Sequence, residues 1–321
     1  MLDLPHERGR ARPCKGRNSP VSAQNVQCLR DLKILACSET KGFQWPTLVF
    51  ALFVMSMTLL SSWLAATGVI PLWLGMIVNA FFMTQGYTAA HECAHHNLHG
   101  RHHHLRWLND VVGVAAFSFT LHSYTVHSLV HRLHHAHTND PERDTDAWVS
   151  EAPNFPFAVV RSFLFYFYTN YFVGRIYKFA PKKKTFVIRA VLETVIPIGA
   201  AIFLANIGYW RETLMLWVLP ALGAFAGVSF FVDWLPHHVD DKTDVMKSTI
   251  IRVPSKTWRG WLMKWAYNFH NYHLIHHLVP SVPWYAQERT FAKAEPFLNY
   301  AGAQVRYPDA RAARPAPVLA E

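Results

Sequence analysis

The sequence predicts an all-α integral-membrane fold, with four transmembrane helices arranged as two hairpins beneath a histidine-rich helical cap on the cytosolic side. Three observations predict it. Four apolar runs, at about 45–66, 69–90, 186–207 and 214–235, are each long enough to cross a hydrocarbon core of ~30 Å. The chain is 51% hydrophobic and only 16% charged, which is apolar-rich for a soluble protein of 321 residues. Its 20 histidines are not scattered, and most fall in short blocks over 91–104, 122–137, 237–238 and 270–277.

Each element follows in order. Residues 1–44 are polar and basic, with Pro5, Pro13 and Pro20 and no sustained periodicity, so they predict a cytosolic arm without fixed structure. They do not read as a secretory signal, because the first apolar run starts too late and is too long. Trp45–Ala66 is the first span, Thr67-Gly68 a short turn, and Val69–Ala90 the second span, which runs straight into His91. Val111–Val126 is apolar but too short to cross, and is expected in the interface or packed in the core. Phe155–Gly174 is aromatic but carries Arg161, and Arg175, Lys178 and Lys182–Lys184 follow it. That pattern suits an interfacial helix with a basic anchor. The third span begins near Phe186 with Arg189 able to snorkel, Gly208–Thr213 turns the chain, and Leu214–Leu235 is the fourth. A charged loop over 240–260, an amphipathic stretch Trp258–Tyr267 and an extended segment Pro280–Tyr285 complete a membrane domain over 45–296. Residues 297–321, rich in Ala, Arg and Pro, read as a loose tail.

Charge sets the orientation. The net charge is +10, but the basic residues are not interleaved with an exposed aromatic platform, which argues against nucleic acid as a partner. Of the 31 Lys and Arg, only Arg211 lies in a connection between paired spans, and Arg189 lies within a span. The arm, the middle block and the C-terminal region are therefore expected on the cytoplasmic side, with both termini and all the histidine clusters. Cys14, Cys28, Cys37 and Cys93 form no CxxC pair, so neither a disulfide framework nor a thiolate metal site is indicated.

The histidines carry the chemistry. Three blocks stand out: His91-Glu-Cys-Ala-His95, His131-Arg-Leu-His134-His135 and His273-Leu-Ile-His276-His277. On a helix that turns ~100° per residue, positions i, i+3 and i+4 share a stripe, so His131, His134 and His135 are expected to converge on one point. His96 and His99 are weaker candidates, and His102–His104, beside Arg101 and Arg106, read as solvated surface. His122 reads as a hydrogen-bonded core histidine. Asp140, Asp144 and Asp146 either orient ligand imidazoles or simply cap a turn. Asp233 and His237 stand four apart, although Pro236 can kink the helix between them. Structural zinc would need only four ligands. Soluble di-iron bundles use two Glu-x-x-His motifs and two further Glu, whereas only one Glu-x-x-His, Glu92–His95, occurs here. A metal transporter would place its histidines within the spans. Two metals on neutral imidazoles, with open positions able to bind and reduce dioxygen, account for the pattern better. Imidazole spacing alone does not choose iron over zinc, and a non-catalytic His-rich metal-binding membrane protein is the alternative from another class.

HECAH, HRLHH and HLIHH around two transmembrane hairpins resemble the three histidine boxes of the integral-membrane fatty acid desaturase and hydroxylase superfamily. The resemblance covers about residues 45–296. It implies two Fe ions, dioxygen as co-substrate, and two electrons from an external donor such as a ferredoxin or b-type cytochrome docked on the basic cytosolic face. By position, it implies His91, His95, His131, His134, His135, His273, His276 and His277 as ligands. The acyl-CoA desaturases of the superfamily have a ninth histidine after the fourth span and an Asn four residues before it that holds a metal-bound water. His237 and Asp233 resemble that pair, with Asp in place of Asn. Within the superfamily, Asp233-Trp-Leu-Pro-His237 and Asn271–Tyr285 look like the cyanobacterial-type β-carotene hydroxylases, while His96 stands where that subgroup usually has Asn. The resemblance thus implies a membrane lipid substrate. Hydroxylation of a carotenoid β-ring is the first expectation and fatty acyl desaturation the second. Phe155–Phe172 and Pro280–Tyr285 are expected to line its entrance.

Overall fold

The computed structural model describes residues 30, 32–34, 42–239, 242 and 244–308. Most of the arm over 1–44 and the tail beyond 308 thus lie outside the described residues. The helices used below are α1 (Trp45–Ala66), α2 (Leu72–Ala94), α3 (Trp107–Ser118), α4 (Tyr124–His137), α5 (Phe155–Ile176), α6 (Lys183–Leu204), α7 (Leu219–Val228), α8 (Trp258–Ala266), α9 (His273–Leu278) and α10 (Gln287–Tyr300).

The helices follow from their sequences. Pro46 sits in the first turn of α1, where its missing N–H costs nothing. Ser123 caps α4 by accepting from the Val126 N–H at 3.2 Å, and Asn154 caps α5 by accepting from Phe157 N–H at 3.2 Å. Two helical runs are long and apolar enough to cross a membrane, Trp45–Ala66 and Lys183–His237. The second runs for 55 residues, but it is not straight. Gly208 has φ of +106° and breaks it, a conformation only glycine adopts freely. α2 is less apolar, since it buries Asn79, Gln85 and Glu92.

Asn79 ties these helices together. Its amide donates to Ser62 Oγ on α1 and to the Leu216 carbonyl on the last run, both at 2.7 Å. Gly75 permits the close approach, because a Cβ there would stand 2.6 Å from Ala65 Cβ and 2.8 Å from Leu216 Cδ2. Outward, α1 and the Lys183–Leu204 helix leave Leu52, Leu59, Trp63, Val195, Ile196 and Phe203 exposed. Side chains of this kind on a folded surface are suited to lipid rather than water.

Three expectations change. Val111–Val126 is not one segment, because α3 ends at Ser118 and the chain turns through Leu121, at φ of +57°, before α4 starts. Residues 297–308, expected to begin a loose tail, instead complete α10 and form a strand, Gln304–Arg306. That strand pairs in parallel with Ile250–Arg252, inside the stretch expected to be a charged loop. The pair closes a compact cap whose core holds Met246, Ile251, Leu274, Ile275 and Leu298. The cap seats α9 against α2 and α4.

Candidate metal centre

α2, α4, α9 and the end of the Lys183–His237 run each bring histidines to one buried region. All nine imidazoles expected as ligands are there, but they form two groups. His91, His95, His131, His135 and His276 make one, and His134, His237, His273 and His277 make the other. The expectation that His131, His134 and His135 meet at one point is therefore corrected. On a helix, His135 lies ~40° to one side of His131 and His134 ~60° to the other. The i, i+4 pair serves one group and the intervening histidine the other. α9 repeats the device, with His273 and His277 in the second group and His276 in the first.

The ring nitrogens face one another. In the first group, His95 Nε2 lies 2.8 Å from His131 Nε2, and His135 Nε2 lies 3.1 Å from His131 Nε2 and 2.8 Å from His276 Nε2. In the second, His273 Nε2 lies 2.8 Å from His237 Nε2 and 3.1 Å from His277 Nε2, while His134 Nε2 lies 3.2 Å from His277 Nε2. A neutral imidazole has one N–H and one acceptor, so crowding Nε2 atoms in this way satisfies few hydrogen bonds. Two ligands at right angles on a metal with M–N of ~2.1 Å stand ~3 Å apart. The spacing therefore fits a metal ion at the centre of each group. His91 Nε2 adds an orphan: it is buried, without a partner among the described residues, and turned to the first group.

Protonation supports the same fit. Burial, followed by repulsion from neighbouring imidazoles, holds His131, His135, His273, His276 and His277 well below the ordinary histidine pKa. Burial lowers His95 to about 3, with Arg132 and nearby histidines adding to the effect. Neutral imidazole is the form that binds a metal. His134 is the exception. Burial disfavours its charge, but Asp144 and Asp146 outweigh burial and raise it to about 9.

The carboxylates explain that exception. Asp144 is 1% exposed, and its Oδ1 accepts from His134 Nδ1–H at 2.9 Å and from the Asp146 N–H at 2.9 Å. Its Oδ2 accepts from the Asn139 N–H at 2.7 Å. Asp144 thus fixes the His134 tautomer and leaves Nε2 for a metal. Asp146 Oδ2 is 3.4 Å from the same Nδ1. Asp140 instead accepts from the Glu142 N–H at 2.9 Å in an exposed turn, so it only caps.

Other candidates fall outside both groups. His96 takes a left-handed φ of +59° at the end of α2, His99 Nδ1 pairs with Asn109 Nδ2 at 3.0 Å, and His102–His104 are exposed. Glu92, between the two histidines of the first box, is fully buried. Its Oε2 accepts from Asn97 Nδ2 at 3.0 Å and its Oε1 from the Trp284 N–H at 3.2 Å. Trp284 Nε1 also donates to Thr47 Oγ1 at 3.2 Å. Pro280–Tyr285 is thereby pinned over the first box and α1.

A narrow internal cavity of about 50 Å³ reaches His131 from the apolar side. Met83 and Tyr87 of α2, Phe117 of α3, Phe165 and Thr169 of α5 and Ala224 and Phe225 of α7 form its walls. Asp146, His127, Ser229 and Asp233 are polar residues on the same lining. Of the two segments expected at the entrance, Phe155–Phe172 contributes Phe165 and Thr169 to this lining, and Pro280–Tyr285 contributes no residue to it. Asp233 sits in a π-helical turn, Ser229–Trp234, which breaks the α-helical register between Asp233 and His237. It faces the cavity and has no hydrogen bond to His237 among the described residues.

A sequence model described as fatty acid desaturase matches residues 61–308, more than half of the chain. The chain belongs to the fatty acid desaturase family. Its desaturase core spans every histidine of the two groups. Similar proteins include an sn-1 oleoyl-lipid 12-desaturase of Synechocystis sp., 35% identical over 83 residues, or 25% of this chain and 22% of that one. A Delta(9) fatty acid conjugase-like enzyme of Dimorphotheca sinuata is 40% identical over 63 residues, 20% of this chain and 16% of its own. A fatty acid conjugase of Calendula officinalis is 37% identical over 68 residues, 21% and 17% of the two chains. This desaturase-family chain therefore matches about a fifth of the length of these curated relatives.

Proposed function

We propose that this chain is a membrane di-iron oxygenase that uses dioxygen and two electrons to oxidise a C–H bond of a lipid. The observation that carries the proposal is the pair of imidazole groups, with Nε2 atoms 2.8–3.2 Å apart, reached by an apolar cavity. His91, His95, His131, His135 and His276 hold one iron and His134, His237, His273 and His277 the other. Bound there, the irons supply dioxygen activation and C–H cleavage. The protein's own part is to present neutral Nε2 atoms, to hold His134 by Asp144, and to keep water from the cavity with Phe117, Phe165 and Phe225. Asp233, facing the cavity within reach of substrate, is proposed to hold or pass a proton there.

The substrate is proposed to be an acyl chain of a membrane lipid, in keeping with the oleoyl-lipid desaturase and conjugases that this chain resembles and with a narrow, aromatic-walled slot. A second reading, hydroxylation of a carotenoid β-ring, is favoured by the Asp233–His237 and Asn271–Tyr285 segments. Four spans with both termini and the metal centre on the cytoplasmic side would let a soluble donor, a ferredoxin or b-type cytochrome, reach the basic face. The test is expression in cells that contain both β-carotene and ordinary acyl lipids under ¹⁸O₂, with mass spectrometry of both pools. New acyl double bonds support desaturation, and carotenoids carrying ¹⁸O support the second reading. An iron-loaded, reduced protein that changes neither pool contradicts the proposal.

A further inference from the structure

His270 is not one of the nine imidazoles, yet it is completely buried against them. It sits in the turn between α8 and α9. The two residues before it, Asn268 and Phe269, take left-handed φ values of +48° and +63°. Asn tolerates that region, but Phe rarely adopts it, and strain of this sort collects where a site must be held in place. The turn is over-determined. Asn268 N–H donates to the Trp265 carbonyl at 3.1 Å, Phe269 N–H to the Lys264 carbonyl at 2.7 Å, and His270 N–H to the Tyr267 carbonyl at 2.8 Å. The Phe269 ring is packed against Phe50, Trp265 and Trp284.

What the strained turn presents is one carbonyl and one imidazole, both aimed at α2. The Asn268 carbonyl accepts from Thr88 Oγ1 at 2.9 Å and from His270 Nδ1–H at 2.7 Å. With its proton committed on Nδ1, His270 offers Nε2 only as an acceptor. That nitrogen lies 3.1 Å from His91 Nδ1. His91 must then carry its proton on Nδ1, which leaves its buried, unpartnered Nε2 as the free lone pair facing the first group. Thr88 and His91 are one helical turn apart, so a single face of α2 makes both contacts.

We infer that His270 is a positioning residue that, through the Asn268 carbonyl and His91 Nδ1, fixes the tautomer and ring orientation of His91 for the first metal. The inference rests on the reading of His91 as a ligand. It differs from a tenth ligand in its chemistry: His270 must accept a hydrogen bond, and need not bind metal.

The experiment compares His270→Leu and His270→Gln in the full-length protein in detergent, loaded with ferrous iron and then competed with a ferrous chelator. Leucine removes the acceptor, while the Gln side-chain carbonyl keeps one near the place of Nε2. The expected result is a 10–100-fold loss of affinity at one of the two iron sites for His270→Leu. Bound iron then falls from two towards one per chain, and His270→Gln stays within about threefold of the parent. Should the leucine variant fail to fold, His270→Asn, polar but too short to reach His91, replaces it and is expected to lose the same iron. Full iron retention in His270→Leu or His270→Asn overturns the inference. So does equal loss in the Gln and Leu variants, which would mean direct ligation or packing. His91→Ala is the control: if it keeps both irons, the ligand reading fails, whereas loss there with retention in His270→Leu refutes the positioning role alone.

Discussion

Asp144→Asn should damage the metal-free protein and the metal-loaded one by different routes. The parent carboxylate accepts three buried hydrogen bonds, from His134 Nδ1, the Asp146 N–H and the Asn139 N–H. An Asn amide has one oxygen, so at least one of those donors would face an NH₂ and lose its partner, at a cost of about 1–3 kcal/mol. The charge is lost as well. His134 is raised from the ordinary value near 6.5 to about 9, although burial alone would lower it, and Asp144 is the largest cause of the rise. A histidine whose folded pKa is raised contributes stability that is complete below about pH 6.5 and disappears as pH climbs through about 9. At about 1.4 kcal/mol per pH unit, the ceiling for this contribution is ~3 kcal/mol. Thermal unfolding of metal-free parent and variant in one detergent, between about pH 6 and pH 10, reads the difference. The parent should lead by several degrees at pH 6.5, and the gap should narrow as pH approaches 9.5. With iron present, the variant should bind the second metal 10–100-fold more weakly, because a neutral amide, with Asp146 Oδ2 at 3.4 Å, holds the His134 proton on Nδ1 less firmly than the carboxylate. A parent-minus-variant gap that does not change with pH, together with undiminished iron, would refute the role given to Asp144.

Other outcomes follow from the same geometry. His134→Ala, His135→Ala, His276→Ala and His277→Ala should each abolish turnover and release about one iron per chain, whereas His102→Ala, on the exposed tract, should be nearly silent; full activity of His276→Ala would sink the assignment. Asp233→Asn should lower kcat about tenfold or more with iron content unchanged, as a cavity group that is not a ligand would; normal turnover would remove Asp233 from the mechanism. Reduction by the physiological donor should slow as salt rises from about 0.05 to 0.5 M, since screening shortens the reach of the basic face. A stopped-flow rate that ignores salt would contradict charge-steered docking.

Much of the site was legible in the sequence because imidazole is a good metal ligand and helices repeat every 3.6 residues. HECAH, HRLHH, HLIHH and His237 name all nine imidazoles that the fold brings together. What periodicity could not supply was their partition, since His134 and His135 are neighbours in sequence but diverge by ~100° around α4. Nor could it separate Asp144 from Asp140. Both lie in the same acidic run, and only the turn at Asn139, with φ of +64°, brings Asp144 back beneath His134. His270 stands three residues before His273, but its contact with His91 spans 179 residues and depends on two consecutive left-handed residues. The π turn at Ser229–Trp234 likewise leaves no mark in an apolar run, yet it decides where Asp233 points. The Ile250–Arg252 and Gln304–Arg306 pairing was hidden because each strand has only three residues, too few to show alternation.

The central claim is that nine imidazoles hold two irons in one buried site. It is tested most directly by the metal content of the purified full-length protein, measured by mass spectrometry of the metals together with Mössbauer spectroscopy of ⁵⁷Fe-grown material. The account predicts about two irons per chain in nitrogen-rich coordination, falling to about one when His277 is replaced by Ala. A single site filled by zinc, or iron bound at one equivalent or less in the intact protein, would contradict it.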